Sequence, residues 1–306
     1  MPLITVITPT FNRAALLPRL YDSLCRQTCK DFEWIVVDDG STDNTQEVLA
    51  QLLWGADHQV QNGGFKVQCY RKKNGGKHTA VNLGVTKANG ELTLILDSDD
   101  ELLPASIAQI AEAWTNIKDS YRSKKPIGGV CGYMAHRNGD IIGMPMLDVV
   151  CDETDMRYLY AVRGDMCEVF CTNVLREFPF PDIKGERFCP ESLVWNRIAP
   201  KYSLLVFSKV IYLRDYLDGG LTDNIVRIRM QSPVASMMTY AEMLGYDIPF
   251  RVKVKAAINY WRFRCCYKRT EGNKGIAMPK VPLAYALVAP AGWLMHQRDC
   301  RALRRH

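Results

Sequence analysis

The 306-residue sequence is missing several features that would place it at once. It has no low-complexity tract and no internal repeat, which excludes a disordered chain and a solenoid. Its eleven cysteines contain no C-x-x-C pair of the zinc-site type. Cys25/Cys29 and Cys167/Cys171 are spaced i, i+4, each without a second pair nearby, and Cys265 and Cys266 are adjacent. An odd, scattered set reads as buried free thiols in a reducing compartment. The first residues, MPLITVITPT, lack a basic n-region and a cleavage site, so they read as a first strand, not a secretory signal. The uncharged stretch at 281–297, VPLAYALVAPAGWLMHQ, is short for a membrane span and is interrupted by Pro282, Pro290 and Gly292. Finally, no G-x-G-x-x-G follows the first apolar run. TPTFNR stands there instead, which argues against a dinucleotide-dependent oxidoreductase.

What is present is ordinary in bulk and uneven in detail. The chain is 47% hydrophobic and 24% charged, long enough for one large or two modest domains. The net charge of +6 conceals a division: residues 1–250 hold 26 Lys+Arg against 31 Asp+Glu, and residues 251–306 hold 13 against 2. A basic C-terminal part points to an anionic partner. Nucleic acid and an anionic membrane surface both fit that description.

Over the first 120 residues apolar runs alternate with helical periodicity. Strands are expected at 3–8, 33–38, 66–70 and 92–96, and helices at 14–27, 43–53, 77–88 and 104–118. Such alternation with short links predicts an α/β fold with a mostly parallel sheet flanked by helices. Right-handed crossovers then bring every strand's C-terminal end to one edge, where open parallel sheets bind ligands. Three polar clusters meet there: TPTFNR (8–13), DDGSTD (38–43) and DSDD (97–100).

The last cluster poses a question. The run LTLILDSDDELLP (92–104) carries four carboxylates in five residues at the end of a buried strand. Asp97 and Asp99 alternate along an extended backbone and would point to one side. Two carboxylates aimed at one spot suit a hard divalent cation with positions left open for phosphate oxygens. The plainer alternative has Asp100 or Glu101 capping the helix near Pro104. In DDGSTD, Ser41 or Thr42 is placed to start a helix with Asp43 in its first turn. The strand-end pair Asp38 and Asp39 remains for a base or a ribose hydroxyl.

VITPTFNR, LCRQTCKDFEWIVVDDGSTDNT, NGGKHTAVNLG and LILDSDD, in that order, resemble the inverting nucleotide-sugar glycosyltransferases of family 2, which have the GT-A fold. The likeness is close over about the first 120 residues and weaker afterwards, resting there on GERFCPESLVWNRIA. It implies that Pro9, Thr10 and Phe11 line a base pocket and that Asp39 binds uracil. It implies that Asp97 and Asp99 hold Mg2+ or Mn2+ against the donor diphosphate, with Ser98 beside it. Lys77, in GGKHTAVN, would lie near the sugar or phosphates, or else begin a helix in solvent; His78 would pack or cap. An inverting transfer needs a base, and the resemblance places it at Glu191, with Glu186 next in line. Glu191 follows Pro190 and also suits an early helix position.

Residues 1–230 are expected to form the catalytic domain, with 1–120 as the nucleotide-sugar half and 121–230 as the acceptor half. Residues 231–306 would be a helical, basic extension. In the second half strands are expected at 127–134, 140–146, 168–175 and 202–216, with a helix at 191–199. Trp195 fits acceptor stacking and core packing equally, and 215–224 reads as a glycine-hinged loop. The tail suits a peripheral place on the inner face of a plasma membrane, or a helix packed with a basic outer face. The expected partners are a UDP-sugar, a glycan or lipid-linked oligosaccharide acceptor and an anionic membrane surface, not nucleic acid. The setting implied is cytoplasmic capsule, exopolysaccharide or O-antigen assembly. The competing class is a non-catalytic nucleotide-sugar-binding subunit.

Overall fold

The computed structural model describes residues 1–54, 64–120, 123–144, 148–214, 224–268, 276 and 278–304. The chain divides into two compact units: Met1–Pro179 with Arg197–Asp215, and Phe180–Asn196 with Tyr216–His306. The division does not fall at residue 230, because 180–196 groups with the C-terminal helices.

The first unit is built on one sheet. Strands β1 (Ile4–Thr10), β2 (Phe32–Asp38), β3 (Lys66–Arg71) and β4 (Leu92–Ile95) run parallel in the order β3-β2-β1-β4. Both β1 and β2 are buried along their whole length, which is why each reads as an apolar run and not as an alternation. Helices α1 (Leu17–Cys25), α2 (Thr45–Trp54), α3 (Lys77–Lys87) and α4 (Ser106–Ser120) fall where the 3.6 period places them, shorter by a few residues at some ends. In α1, Leu17, Leu20 and Leu24 face the core at helical spacing. The acid within β2 has a structural purpose. Buried Glu33 accepts hydrogen bonds from the Thr5 hydroxyl (2.8 Å), the Asn89 amide (2.6 Å) and the Gln68 side chain (3.0 Å). It thereby ties β1 and β3 to the turn before β4.

The strands of the second half extend the same sheet. Strands β5 (Glu101–Leu102), β6 (Ile127–Ala135), β7 (Val149–Cys151), β8 (Met166–Cys171) and β9 (Ser203–Leu213) continue it in the order β4-β8-β6-β9-β5, with β7 on β9. Strand β8 is antiparallel to both β4 and β6. Two expectations need correction. The strand at 168–175 ends at Cys171 and turns into α6 (Thr172–Glu177), after α5 (Glu153–Tyr158). Within 140–146 the described residues make only one bridge, Ala135 to Ile141. Gly143 there adopts φ +95°, a left-handed conformation that breaks an extended run. Residues 145 and 146 lie outside the described residues.

In the second unit, α7 (Glu191–Ile198) begins after Pro190, and α8 (Ile225–Gln231), α9 (Pro233–Met243) and α10 (Phe250–Arg264) follow. Met237 and Ala241 of α9 pack on Tyr260 and Phe263 of α10, with Tyr240 stacked on Phe263 at 5.9 Å. A 3-10 turn, Leu283–Val288, leads into α11 (Ala289–Leu303). The loop expected at 215–224 lies outside the described residues except for Asn224. None of the eleven cysteines is in a disulfide; four are buried, and Cys69 and Cys265 are exposed. Among the described residues no helix is long and apolar enough to cross a membrane.

Candidate functional site

The strand order runs outward from β1 in both directions, so the topology switches between β1 and β4. Crevices at such points, beyond the C-terminal ends of the strands, are the ligand sites of open α/β sheets. Thr10, Asp38 and Asp97 lie at or just beyond the ends of β1, β2 and β4.

The loops after β1 and β2 are clasped together. Asn12, at φ +53°, donates its backbone N–H to the Ser41 hydroxyl (2.9 Å) and accepts from the Thr42 amide at Oδ1 (2.8 Å). Gly40 adopts φ +79°, and a Cβ there would stand 2.9 Å from the Asn74 nitrogen, so only glycine permits this approach. The side chain that receives the first turn of α2 is Asp43, through the Thr45 amide at 3.1 Å, not Ser41 or Thr42. Pro9 and Thr10 are buried, whereas Phe11 is 42% exposed. The Thr10 hydroxyl is buried without a hydrogen-bond partner, a condition that costs about 1–3 kcal/mol until a ligand atom offsets it.

Asp39 is buried and already engaged. Its carboxylate pairs with Lys72 (2.7 Å) and accepts the amides of Gly75 (3.0 Å) and Gly76 (2.7 Å). Lys72 also reaches the Thr79 hydroxyl at 2.7 Å. Asp39 therefore shapes the loop that leads into α3, and a carboxylate oxygen holding one amide retains a second acceptor direction. Lys77, the first residue of α3, contacts Asp97 at 2.6 Å. His78 is buried on the same helix.

The acidic run after β4 resolves into separate environments. It is not extended: the Asp100 amide bonds to the Asp97 carbonyl (3.0 Å), closing a turn with Ser98 buried inside it. This corrects the expected strand alternation, and the turn brings in Asp100 as well. Carboxylate oxygens of Asp97, Asp99 and Asp100 all lie within 4.8 Å of one another. The capping alternative fails for both candidates. Asp100 accepts the Tyr212 hydroxyl at 2.8 Å, and Glu101 is surrounded by Arg19 (3.2 Å), Arg26 (3.4 Å) and Arg137 (3.0 Å). Tyr212 in turn accepts the Asp97 amide at 3.0 Å.

Burial, then the charges of Asp97 and Asp99, push the Asp100 carboxyl from its ordinary 3.8 up to about 8. The run is thus tolerated because Asp97 has an ammonium, Glu101 has three guanidinium groups, and Asp100 is protonated at neutral pH. The arrangement fits a divalent ion, since an all-oxygen donor set on a turn suits Mg2+ or Mn2+. A raised folded-state pKa adds stability below the unfolded value and loses it as pH rises through the folded one. In chelator the melting temperature is therefore expected to fall as pH rises from 5 to 9, and Asp100→Asn should flatten that fall; differential scanning calorimetry measures both.

In the second unit, Glu191 opens α7 and is half-buried. Trp195, one turn on, is buried and meets Phe180 edge-on at 5.8 Å, which places it in the core. Glu186 is fully employed elsewhere: its two oxygens accept the Val234 (2.7 Å) and Ala235 (2.9 Å) amides at the start of α9. Burial pushes its carboxyl up, against the pull of those amides. Glu186→Ala leaves two buried amides unmet and is expected to cost about 2–4 kcal/mol in urea unfolding. Glu186→Gln, which keeps one acceptor oxygen, should fall between that variant and the parent.

A sheet of this order is similar to the GT-A fold. Residues 5–121 match the model of "Glycosyl transferase family 2". The chain is 40% identical over 111 residues to a PGL/p-HBAD biosynthesis glycosyltransferase of Mycobacterium bovis, covering 36% of this chain and 41% of that one. It is also 40% identical over 113 residues to a GalNAc(5)-diNAcBac-PP-undecaprenol beta-1,3-glucosyltransferase of Campylobacter jejuni, covering 37% and 34%. The match thus spans about two fifths or less of these relatives. Staphylococcus aureus TarS in complex with UDP superposes with a TM-score of 0.58 at 18% identity, over 90% of this chain and 75% of that one. The mannosyltransferase PcManGT of Pyrobaculum calidifontis, in complex with GDP-Man and Mn2+, superposes at 0.53 and 20% identity, over 99% and 81%. At those identities the likeness shows the fold.

Three participants went unread in the sequence: Asp100 as a third carboxylate, Tyr212 bridging it to Asp97, and Lys72 bound to Asp39. Lys72 alone left a signal, in the basic RKKNGGKH that carries Lys77.

Proposed function

We propose that the protein is an inverting, metal-dependent glycosyltransferase that moves a sugar from a UDP-sugar to a hydroxyl of a lipid-linked glycan. It would act in cell-surface polysaccharide assembly, peripheral on the cytoplasmic face of the membrane. The observation that carries this reading is the convergence of Asp97, Asp99 and Asp100 at the β1/β4 switch point, with the unpartnered Thr10 hydroxyl at the end of β1. The name of the Campylobacter jejuni relative, which includes PP-undecaprenol, supports the lipid-linked acceptor.

Pro9, Thr10 and Phe11 contribute the base pocket, and the Asp39–Lys72 pair holds its wall in place. Asp39 offers its remaining acceptor direction to the base. Asp97 and Asp99 would hold Mg2+ or Mn2+, which when bound offsets charge growing on the departing diphosphate. Lys77, which contacts Asp97 in this structure, would offer its ammonium to the donor phosphates beside Ser98. Asp100, neutral and hydrogen-bonded to Tyr212, keeps the turn compact. Glu191 takes the proton from the acceptor hydroxyl as the oxygen bonds to the anomeric carbon. The bond from that carbon to the diphosphate oxygen breaks, its electron pair leaves with UDP, and the configuration inverts.

The reading is tested by screening UDP-sugars with Mn2+ or Mg2+ in a thermal-shift assay, then measuring UDP release with lipid-linked acceptors. Stabilisation by one donor followed by acceptor-dependent release supports it. Donor binding with no release against any acceptor would instead support a non-catalytic subunit.

A further inference from the structure

Exposed large apolar side chains are concentrated at one place in the second unit. Leu283, Leu287, Trp293, Leu294 and Met295 are all exposed, Leu283 by 90% and Leu287 by 86%. The 3-10 turn carries the first two and α11 the rest.

The way α11 is held shows that this face is turned outward. One stripe of the helix is committed to α10. Gly292 lies against Ile258 and Trp261 so closely that a side chain there would clash. His296 meets the sulfurs of Cys266 and Cys300 at 3.5 Å each. Asp299 takes Arg262 through two bonds, 2.5 and 2.8 Å. The opposite stripe bears Trp293, Leu294, Arg298 and Arg301, all exposed, with exposed Arg304 just beyond. The outer surface is therefore apolar at the N-terminal end of α11 and cationic at the C-terminal end. The nearest acid, Asp299, is already paired with Arg262 and does not offset the arginines. Arg262, which periodicity alone would place on a basic outer stripe with Arg251 and Lys255, is turned inward to hold α11.

We propose that residues 283–304 form a docking surface for an anionic phospholipid bilayer. Leu283, Leu287 and Leu294 enter the acyl boundary, Trp293 lies at headgroup depth, and Arg298, Arg301 and Arg304 rest on the phosphate layer. Charge selects this occupant. Residues 251–306 hold 13 Lys+Arg against 2 Asp+Glu, so a second copy of the chain would bring cations to cations, whereas an anionic leaflet matches them. The inference deepens the reading of a lipid-linked acceptor, since it names the surface that would bring the chain to the membrane.

The test uses the full chain, without any sugar nucleotide, in co-sedimentation with vesicles of phosphatidylcholine alone or mixed with phosphatidylglycerol. Binding is expected to the mixed vesicles and to weaken at high salt. Arg298→Gln/Arg301→Gln/Arg304→Gln should weaken it by about a hundredfold, and Leu283→Gln/Leu287→Gln/Leu294→Gln by at least about tenfold. These side chains are exposed, so circular dichroism should match the parent for both variants. Brominated lipid should quench tryptophan emission in the parent and much less in Trp293→Phe. Equal binding by parent and leucine variant, or a chain that stays in the supernatant, overturns the proposal. So does self-association lost in the leucine variant without vesicle binding, which would assign the face to a second copy. UDP release with a soluble acceptor should be unchanged in both variants, so failure here is distinguishable from failure of the transferase reading.

Discussion

Asp99→Asn is expected to lower sugar transfer by about a thousandfold or more and to remove the dependence of UDP affinity on Mn2+ or Mg2+. Among the three clustered carboxylates, Asp97 has the ammonium of Lys77 and Asp100 has Tyr212. An amide in place of Asp99 keeps the size and one acceptor oxygen, so the turn survives and circular dichroism should match the parent. What it loses is the negative charge that draws in a divalent ion. Transition-state charge stabilisation by a bound cation supplies several kcal/mol, and each 1.36 kcal/mol is tenfold in rate. The measurement is initial-rate UDP release, paired with UDP titration in the presence of metal and of chelator. A variant that keeps its rate and its metal response would remove Asp99 from the site.

Glu191→Gln is the second large effect and is expected to separate binding from chemistry. A positioned general base contributes about a hundred- to ten-thousandfold, so kcat should fall in that range while the Kd for UDP stays within about twofold. Glutamine preserves the side-chain length at the start of α7 and removes only the capacity to take a proton. Full activity in this variant would place the base elsewhere. Glu186 is then a poor successor, because both of its oxygens are spent on the amides of Val234 and Ala235.

The parts of the fold that local sequence determines were legible. Parallel strands buried on both faces appear as uninterrupted apolar runs, and the change to a 3.6 period marks each helix between them. The handedness of the crossovers then carried Thr10, Asp39 and Asp97 to one edge without reference to any contact. What sequence could not show depends on distant partners. Asp100 reads as one acid among four until Tyr212, 112 residues away, reaches it. Glu101 looked like a helix cap because its arginines come from positions 19, 26 and 137. Glu186 resembled a spare base because the amides it caps begin 48 residues later. In 140–146 the alternation of apolar residues suggested a strand, and the left-handed backbone at Gly143 overrides it. Trp195 was balanced between two roles until the ring of Phe180 settled it.

Isothermal titration of UDP into the unmodified protein, with manganese in one cell and chelator in the other, tests the central claim most directly. Affinity that rises at least about tenfold with the ion, each tenfold being 1.4 kcal/mol, is what the converging carboxylates of Asp97 and Asp99 predict. Equal affinity in the two cells would contradict the assignment of Asp97 and Asp99 to a cation and, through it, to a pyrophosphate.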